Sequence, residues 1–208
     1  IGGYTMALAA RHLSPEVWVT VPVGLTVAAV TAAAIGWLSI RLSGFYFLMI
    51  TFSFAQMVYA LAYRWNWLTG GSDGMIIPGP ELFGVDVLVS RLEIYYVVLA
   101  CFLGAFFFMR RLARSPFGAV LLGIRESPVR MRAIGYNVRL YKLAAFVIAS
   151  VLGALAGVLN SFFNLFVSPS DTHWTLSANV LIMVLIGGSG SAAGPIVGAA
   201  IVLLLQNW

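Results

Sequence analysis

Three stretches of this chain run the length of a membrane crossing without one charged residue: Val17–Ile40, Leu42–Tyr63 and Leu143–Ser170. A hydrocarbon core about 30 Å thick takes about 20 apolar residues as a helix. Inside it every backbone polar group must be satisfied within the protein, which a helix does by itself. Ile94–Met109 is shorter and spans if Glu93 and Arg110 reach the two interfaces. Thr172–Trp208 is uncharged apart from His173, but GGSGSAAGP at Gly187–Pro195 interrupts it, which predicts two helices. The opening IGGYTMALAA reads as the end of another apolar helix, cut inside a span, so further chain is expected there. The expectation is an all-α, polytopic membrane helix bundle of about seven segments, forming one transmembrane domain over 1–208. Composition agrees, because 61% of the residues are hydrophobic and only 9% charged. Soluble domains carry about 25% charged residues, and this chain has too few to cover a water-facing surface.

The charges orient the bundle. Arg110, Arg111, Arg114, Arg125, Arg130, Arg132, Arg139 and Lys142 share the connection 110–142, opposed only by Glu126. The positive-inside rule places that connection in the cytoplasm. Loop 64–93 then lies outside, with Asp73, Glu81, Asp86 and Glu93 against Arg64 and Arg91. Trp65, Trp67, Tyr95, Tyr96 and Trp174 fall near the same outer interface, as an aromatic belt does. The net charge of +5 therefore reports the cytoplasmic loop and its anionic lipid contacts rather than a nucleic-acid partner. The loop also carries helix signals. Ser115-Pro116 and Ser127-Pro128 each join a capping residue to proline at the first helical position, and Gly135 is a stop. Two short helices, about 116–126 and 128–134, are predicted at the membrane surface.

Two strings imitate catalytic motifs. Gly70-Gly71-Ser72-Asp73-Gly74 fits G-x-S-x-G, but a nucleophile elbow needs a preceding strand, a following helix and a histidine base. A membrane helix precedes Ser72, and MIIPGP follows. A glycine-rich turn is expected instead, with positive φ at glycine and Asp73 bonding nearby backbone. Gly187-Gly188-Ser189-Gly190 matches the string of intramembrane serine proteases, but no histidine follows Ser189 in this chain. No catalytic residue is assigned. Cys101 is the only cysteine, so neither an internal disulfide nor a C-x-x-C metal pair exists, and no metal site is assigned.

The long apolar runs contain no acid, lysine or histidine. Such residues mark ion and proton paths within membranes, so ion-coupled transport is disfavoured, although carbonyl groups can also coordinate sodium. Thr51, Ser53, Gln56, Asn160, Ser161 and Asn164 are the polar groups on offer. Of these, Gln56, Ser53, Asn160 and Asn164 are the candidates for a substrate pathway, on polarity alone. GALAG at Gly153–Gly157 and GPIVG at Gly194–Gly198 are small-xxx-small patterns that let helix backbones approach closely.

SPFGAVLLGIRESPVRMRAIGYNVRLYKLAAFVIASVLGALAG resembles the cytoplasmic loop and following helix of ABC importer permeases for branched-chain amino acids, the LivM type. RLSGFYFLMITFSFAQM, LTGGSDG, VSPSD and LIMVLIGGSGSAAGPIVGAA resemble further blocks of that family, in order. The loop departs from the family at Ser127–Arg132, which is more basic here than usual.

The resemblance implies a permease without chemistry of its own. This chain would bind no cofactor, and ATP would be used by partner subunits. A second homologous permease subunit, two ABC ATPases and an extracytoplasmic substrate-binding protein are the implied partners. The implied location is the inner (plasma) membrane of a bacterium or archaeon, and further spans are implied at both ends of the chain. Contact with the ATPases would fall on Ser115, Pro116, Arg125, Glu126, Arg132, Ala133, Ile134 and Gly135. Gly70, Gly71, Ser72, Asp73 and Gly74 would help shape the outer vestibule. Branched-chain amino acids are the implied cargo, with urea or short amides as the alternative. A passive or ion-coupled transporter without ATPases, and an intramembrane serine protease, are the rival classes.

Overall fold

The computed structural model describes residues 1–12, 16–42, 44–77, 81–82, 85–86, 91–188, 190 and 193–206. Its helices are α1 (Gly2–His12), α2 (Val17–Ser39), α3 (Phe45–Arg64), α4 (Asn66–Thr69), α5 (Arg91–Ala113), α6 (Pro116–Glu126), α7 (Pro128–Ala133), α8 (Val138–Asn164), α9 (Trp174–Gly187) and α10 (Gly194–Gln206). Among the described residues α2, α3, α5 and α8 are long and apolar enough to cross a membrane. The other apolar helices are shorter, and α9, at 14 residues, is roughly 21 Å long. The polytopic helical architecture is therefore as expected, with four full-length crossings among the seven expected segments.

The packing centre is α2 against α8 and α1. Thr20, Gly24, Ala28, Ala32 and Gly36 recur every fourth residue of α2 and are all buried. That spacing makes one narrow face of small side chains, against which neighbouring backbones can approach. A Cβ on Gly36 would come within 2.7 Å of the Phe146 ring. The hydroxyls on this face are spent locally, Thr20 on the Glu16 carbonyl (3.1 Å) and Ser39 on that of Ile35 (2.7 Å). No hydroxyl on it is left bare against a neighbouring helix.

α8 differs from the expected Leu143–Ser170 at both ends. It starts five residues earlier because the Asn137 side chain accepts from the Leu140 N–H and caps it. It stops at Asn164 because Leu165 takes the left-handed conformation, with φ of 52°. The chain then enters β4 (Phe166–Val167), which pairs antiparallel with β1 (Met75–Ile76), Met75 opposite Val167. β2 (Glu81–Leu82) and β3 (Val85–Asp86) make a second small ladder. An all-α reading of the sequence misses these pairs, which are too short to show periodicity. The β1–β4 pair ties the segment after α3 to the segment after α8.

A core forms around that tie, from Tyr4, Met6 and Ala7 of α1, Ala62, Met75 and Ile77, Val158 and Phe162 of α8, and Val167. Met75 and Ile77 point inward at 5% and 3% exposure while Ile76 between them is 83% exposed, the period of an extended strand. α9 and α10 pair closely with each other. α5 stands apart, touching chiefly α6 and α8.

Candidate functional site

At the basic end, α6 and α7 form a packed unit. Val120 and Ile124 of α6 are buried against Val138 of α8, with Leu121, Met131 and Tyr141 around them. Phe117 stacks on Tyr141 at 5.6 Å, and Tyr136 meets the same ring edge-on. Ser127 caps α7 by accepting from the Arg130 N–H at 3.3 Å. Ser115 does not cap α6; its hydroxyl donates to the Leu112 carbonyl at 2.6 Å, so proline at the first position does the starting alone. α7 ends at Gly135 with φ of 97°. There Tyr136 N–H bonds the Met131 carbonyl and Gly135 N–H that of Arg132. These two bonds are the Schellman pattern, which satisfies the last helical carbonyls. The packed side of the unit is apolar, while Arg125, Glu126, Arg130, Arg132, Ala133, Ile134 and Gly135 are exposed. Val129 and Ile134, at 74% and 64% exposure, stand among those charges. The structure thus brings the residues singled out in 115–135 onto one packed element. α5 and α8 extend into the predicted connection 110–142, so Arg110, Arg111, Arg139 and Lys142 ride on helix ends.

At the opposite end, GGSDG is a turn. Gly70, Gly71 and Gly74 all have positive φ, and a Cβ on Gly74 would run into the Val167 carbonyl oxygen. Ser72 donates to the neighbouring Asp73 carboxylate at 3.1 Å, so Asp73 takes a side-chain partner where the sequence suggested backbone. The turn hangs on buried Thr69, whose Oγ1 lies 2.6 Å from the Ala62 carbonyl oxygen and accepts from the Gly71 N–H at 3.4 Å. Ser189 of the second serine string lies outside the described residues.

Between the two ends lies a cavity of about 460 Å³ walled by α2, α3, α8 and α9. Ala28, Ala32, Phe54, Val58 and Phe146 make it apolar, and Thr51, Ser150 and Ser177 add hydroxyls. Asp171, Thr172 and His173 also line it. His173 meets Tyr59 edge-on at 5.1 Å, and its Nδ1 lies 3.0 Å from the Thr175 hydroxyl. A second cavity of about 290 Å³ shares Ile1, Gly153, Gly157, Asp171, Thr172 and Leu176 with the first, and adds Tyr4, Asn160 and Ser161.

The four polarity-based pathway candidates are not brought together. Ser53 is exposed on α3 with its hydroxyl on the Met49 carbonyl, and Gln56 lines neither cavity. Asn164 is exposed and donates to Asn160, and only Asn160 faces a cavity of this pair. The polar lining of the larger cavity comes instead from the Thr51, Ser150 and Ser177 hydroxyls and from Asp171, Thr172 and His173, which lie in a connection. The VSPSD string was the signal for Asp171, although nothing in it indicates that the connection folds back over the bundle.

Four helices long and apolar enough to cross a membrane, with a basic element at one end, define a multi-pass helical membrane protein. The chain belongs to the family described as branched-chain amino acid transport system / permease component, whose match runs over residues 1–208. It is 30% identical over 230 residues to the high-affinity branched-chain amino acid transport system permease protein LivM of Escherichia coli, and equally to that of Salmonella typhimurium. All of this chain is covered in both, but only 54% of each relative, so it spans about half their length. A probable branched-chain amino acid transport permease LivM of Methanocaldococcus jannaschii is 28% identical, over 67% of this chain and 40% of that protein. No solved structure matches.

Proposed function

We propose that the chain is the membrane permease subunit of an ATP-driven ABC importer for branched-chain amino acids, with no catalytic chemistry or cofactor of its own. The observation that carries this reading is the family match over the whole of 1–208. By charge, the end bearing α6 and α7 is cytoplasmic and the GGSDG end is extracytoplasmic. Two ABC ATPases, a second homologous permease and an extracytoplasmic binding protein complete the assembly. α6 and α7 suit a coupling element because a groove on an ATPase can push only on something rigid. Their exposed Val129 and Ile134, ringed by Arg125, Arg130 and Arg132, offer apolar anchors with charge around them. Their packing onto the first turns of α8 connects any such push to a helix that walls the cavity. The apolar cavity suits an aliphatic side chain better than urea.

The test has two arms. The full-length protein, purified in mild detergent, should bring down two ATPase chains and a second permease, and the reconstituted assembly should take up leucine with ATP. Gly135→Pro forces φ near −65° where the chain has 97° and deletes the bond to Arg132. Arg132→Glu reverses an exposed charge of the element. Both variants should stay in the membrane and lose uptake while hydrolysis continues. Normal uptake in both removes α6 and α7 from the mechanism.

A further inference from the structure

A further cavity, of about 190 Å³, opens at the basic end of the bundle, between the close of α2 and the start of α8. By the share of volume one water takes in the liquid, that is room for about six waters. Trp37 and Arg41 line it from the α2 side, and Asn137, Arg139, Leu140 and Leu143 from the α8 side. Two arginines thus share it, and no carboxylate lines it among the described residues. Like charges gathered in one cavity repel, and an anion between them relieves the repulsion. The Arg41 guanidinium lies over the Trp37 ring, 4.2 Å from its centroid. That contact uses the face of the guanidinium and leaves its N–H edge to donate in plane. The helix start adds a donor. Val138 N–H bonds the Tyr136 carbonyl, and Asn137 accepts from Leu140 and Tyr141. The Arg139 N–H has no acceptor among the described residues, and a free first-turn N–H of a 27-residue helix favours an anion. Beside these donors Trp37 and Leu140 are each 60% exposed, so the mouth of the cavity is charged on one side and apolar on the other.

We infer that this cavity binds the phosphate of an anionic phospholipid in the cytoplasmic leaflet. The phosphate accepts from the Arg41 and Arg139 side chains and from the Arg139 N–H, and the lipid's apolar part runs along Trp37 and Leu140. Free phosphate would satisfy the same donors but leave that apolar flank uncovered, so the lipid is the occupant the surface fits. Tryptophan belongs at headgroup depth, and basic pockets between helices on the cytoplasmic side are suited to anionic headgroups. A lipid bound here clasps the end of α2 to the start of α8, the two helices at the packing centre of the bundle. The inference rests on the basic end of the chain meeting the membrane surface, and it stands whether or not the cargo and the ATPases are those proposed above.

The test is native mass spectrometry of the full-length protein in mild detergent, titrated with phosphatidylglycerol, with phosphatidylcholine or with inorganic phosphate. Phosphatidylglycerol should bind about tenfold more tightly than phosphatidylcholine, whose choline cation cancels the charge, and excess inorganic phosphate should not displace it. Arg41→Gln and Arg139→Gln should each weaken phosphatidylglycerol about fivefold, and together roughly thirtyfold. Arg110→Gln with Arg111→Gln on α5 is the control. It removes the same charge from the same end of the bundle and should change the affinity less than about twofold. Arg41 and Arg139 are exposed, so without lipid the double variant should keep the wild-type thermal midpoint. Equal weakening in the two double variants overturns the site, because charge at large would then hold the lipid. Equal affinity for the two lipids overturns it as well. Displacement by inorganic phosphate overturns the lipid and assigns the cavity to a free anion. A lower midpoint without lipid in the Arg41 and Arg139 variant makes these arginines structural and also overturns the site.

Discussion

Gly153 and Gly198 each belong to a small-xxx-small pattern, GALAG and GPIVG, yet they should respond oppositely to one added methyl group. In α10, a Cβ on Gly198 would overlap the Met183 carbonyl oxygen of α9, and would lie 2.8 Å from the Gly187 nitrogen and 2.9 Å from the Met183 carbonyl carbon. Ordinary Cβ contacts begin near 3.4 Å. Backbone cannot swing aside as a side chain does, so α9 and α10 must part by more than an ångström along their contact. Overpacking of this kind costs about 1–3 kcal/mol. For a chain of this size, about 2 kcal/mol lowers the midpoint by roughly 4–8 °C. Gly153→Ala is the control, because its Cβ meets nothing within 4 Å. Alanine is also the better helix former, by about 0.5–1 kcal/mol, so this variant should hold or slightly raise the midpoint. The assay is thermal unfolding of the two purified variants in one detergent, followed by tryptophan fluorescence. Equal midpoints would refute the close α9–α10 approach, and a larger loss in Gly153→Ala would mean that α8 is packed there rather than open.

Thr69→Val should lower stability by about 1–3 kcal/mol, since it strips the Ala62 carbonyl and the Gly71 N–H of a buried partner; an unchanged midpoint would show the turn to be held otherwise. Ser127→Ala should loosen α7 by about 1 kcal/mol, the usual value of a cap, and Ser115→Ala should have less effect on α6 because its hydroxyl makes no cap bond. Limited proteolysis of the 114–137 segment reads the difference, and the reverse order would overturn the assignment. Gly74→Ala, at φ of 71° and against the Val167 carbonyl, should separate β1 from β4. Faster protease cleavage between residues 70 and 77 is the readout, and wild-type resistance would contradict the pairing.

What the sequence discloses here follows from how far each signal reaches along the chain. Uncharged runs locate α2 and α3 nearly to the residue, because desolvating a charge in lipid is costly over the whole length of a span. The α6 and α7 starts are legible because Ser-Pro acts on its own turn, and Gly135 ends α7 for an equally local reason. α8 is misplaced at both ends because Asn137 and Leu165 set its limits, and neither is a hydrophobicity signal. The cavity lining is harder still. Asn164 and Ser53 are polar but face away from the cavities, whereas Asp171 and Tyr4 reach them only through the β1–β4 tie and the burial of α1. Polarity tells which residues can bind and leaves open which of them meet.

The same helix carries both ends of the proposed mechanism. α8 holds α6 and α7 through Val138 and Tyr141 in its first turns, and its last turn leads into β4 and the Asp171 connection. Between them Phe146, Ser150, Gly153, Ala154 and Gly157 wall the larger cavity. Its 27 residues make a rod roughly 40 Å long. Displacing α6 and α7 must therefore either tilt α8 or break the apolar packing of Val120 and Ile124 on Val138. The small-residue face of α2 is what permits the tilt, because Gly24, Ala28, Ala32 and Gly36 have little side chain to interlock against it. Replacing Ala32 by Leu would therefore jam the bundle: uptake should fall while binding of the ATPases persists. Normal uptake in that variant would show that α2 and α8 do not move past each other during transport.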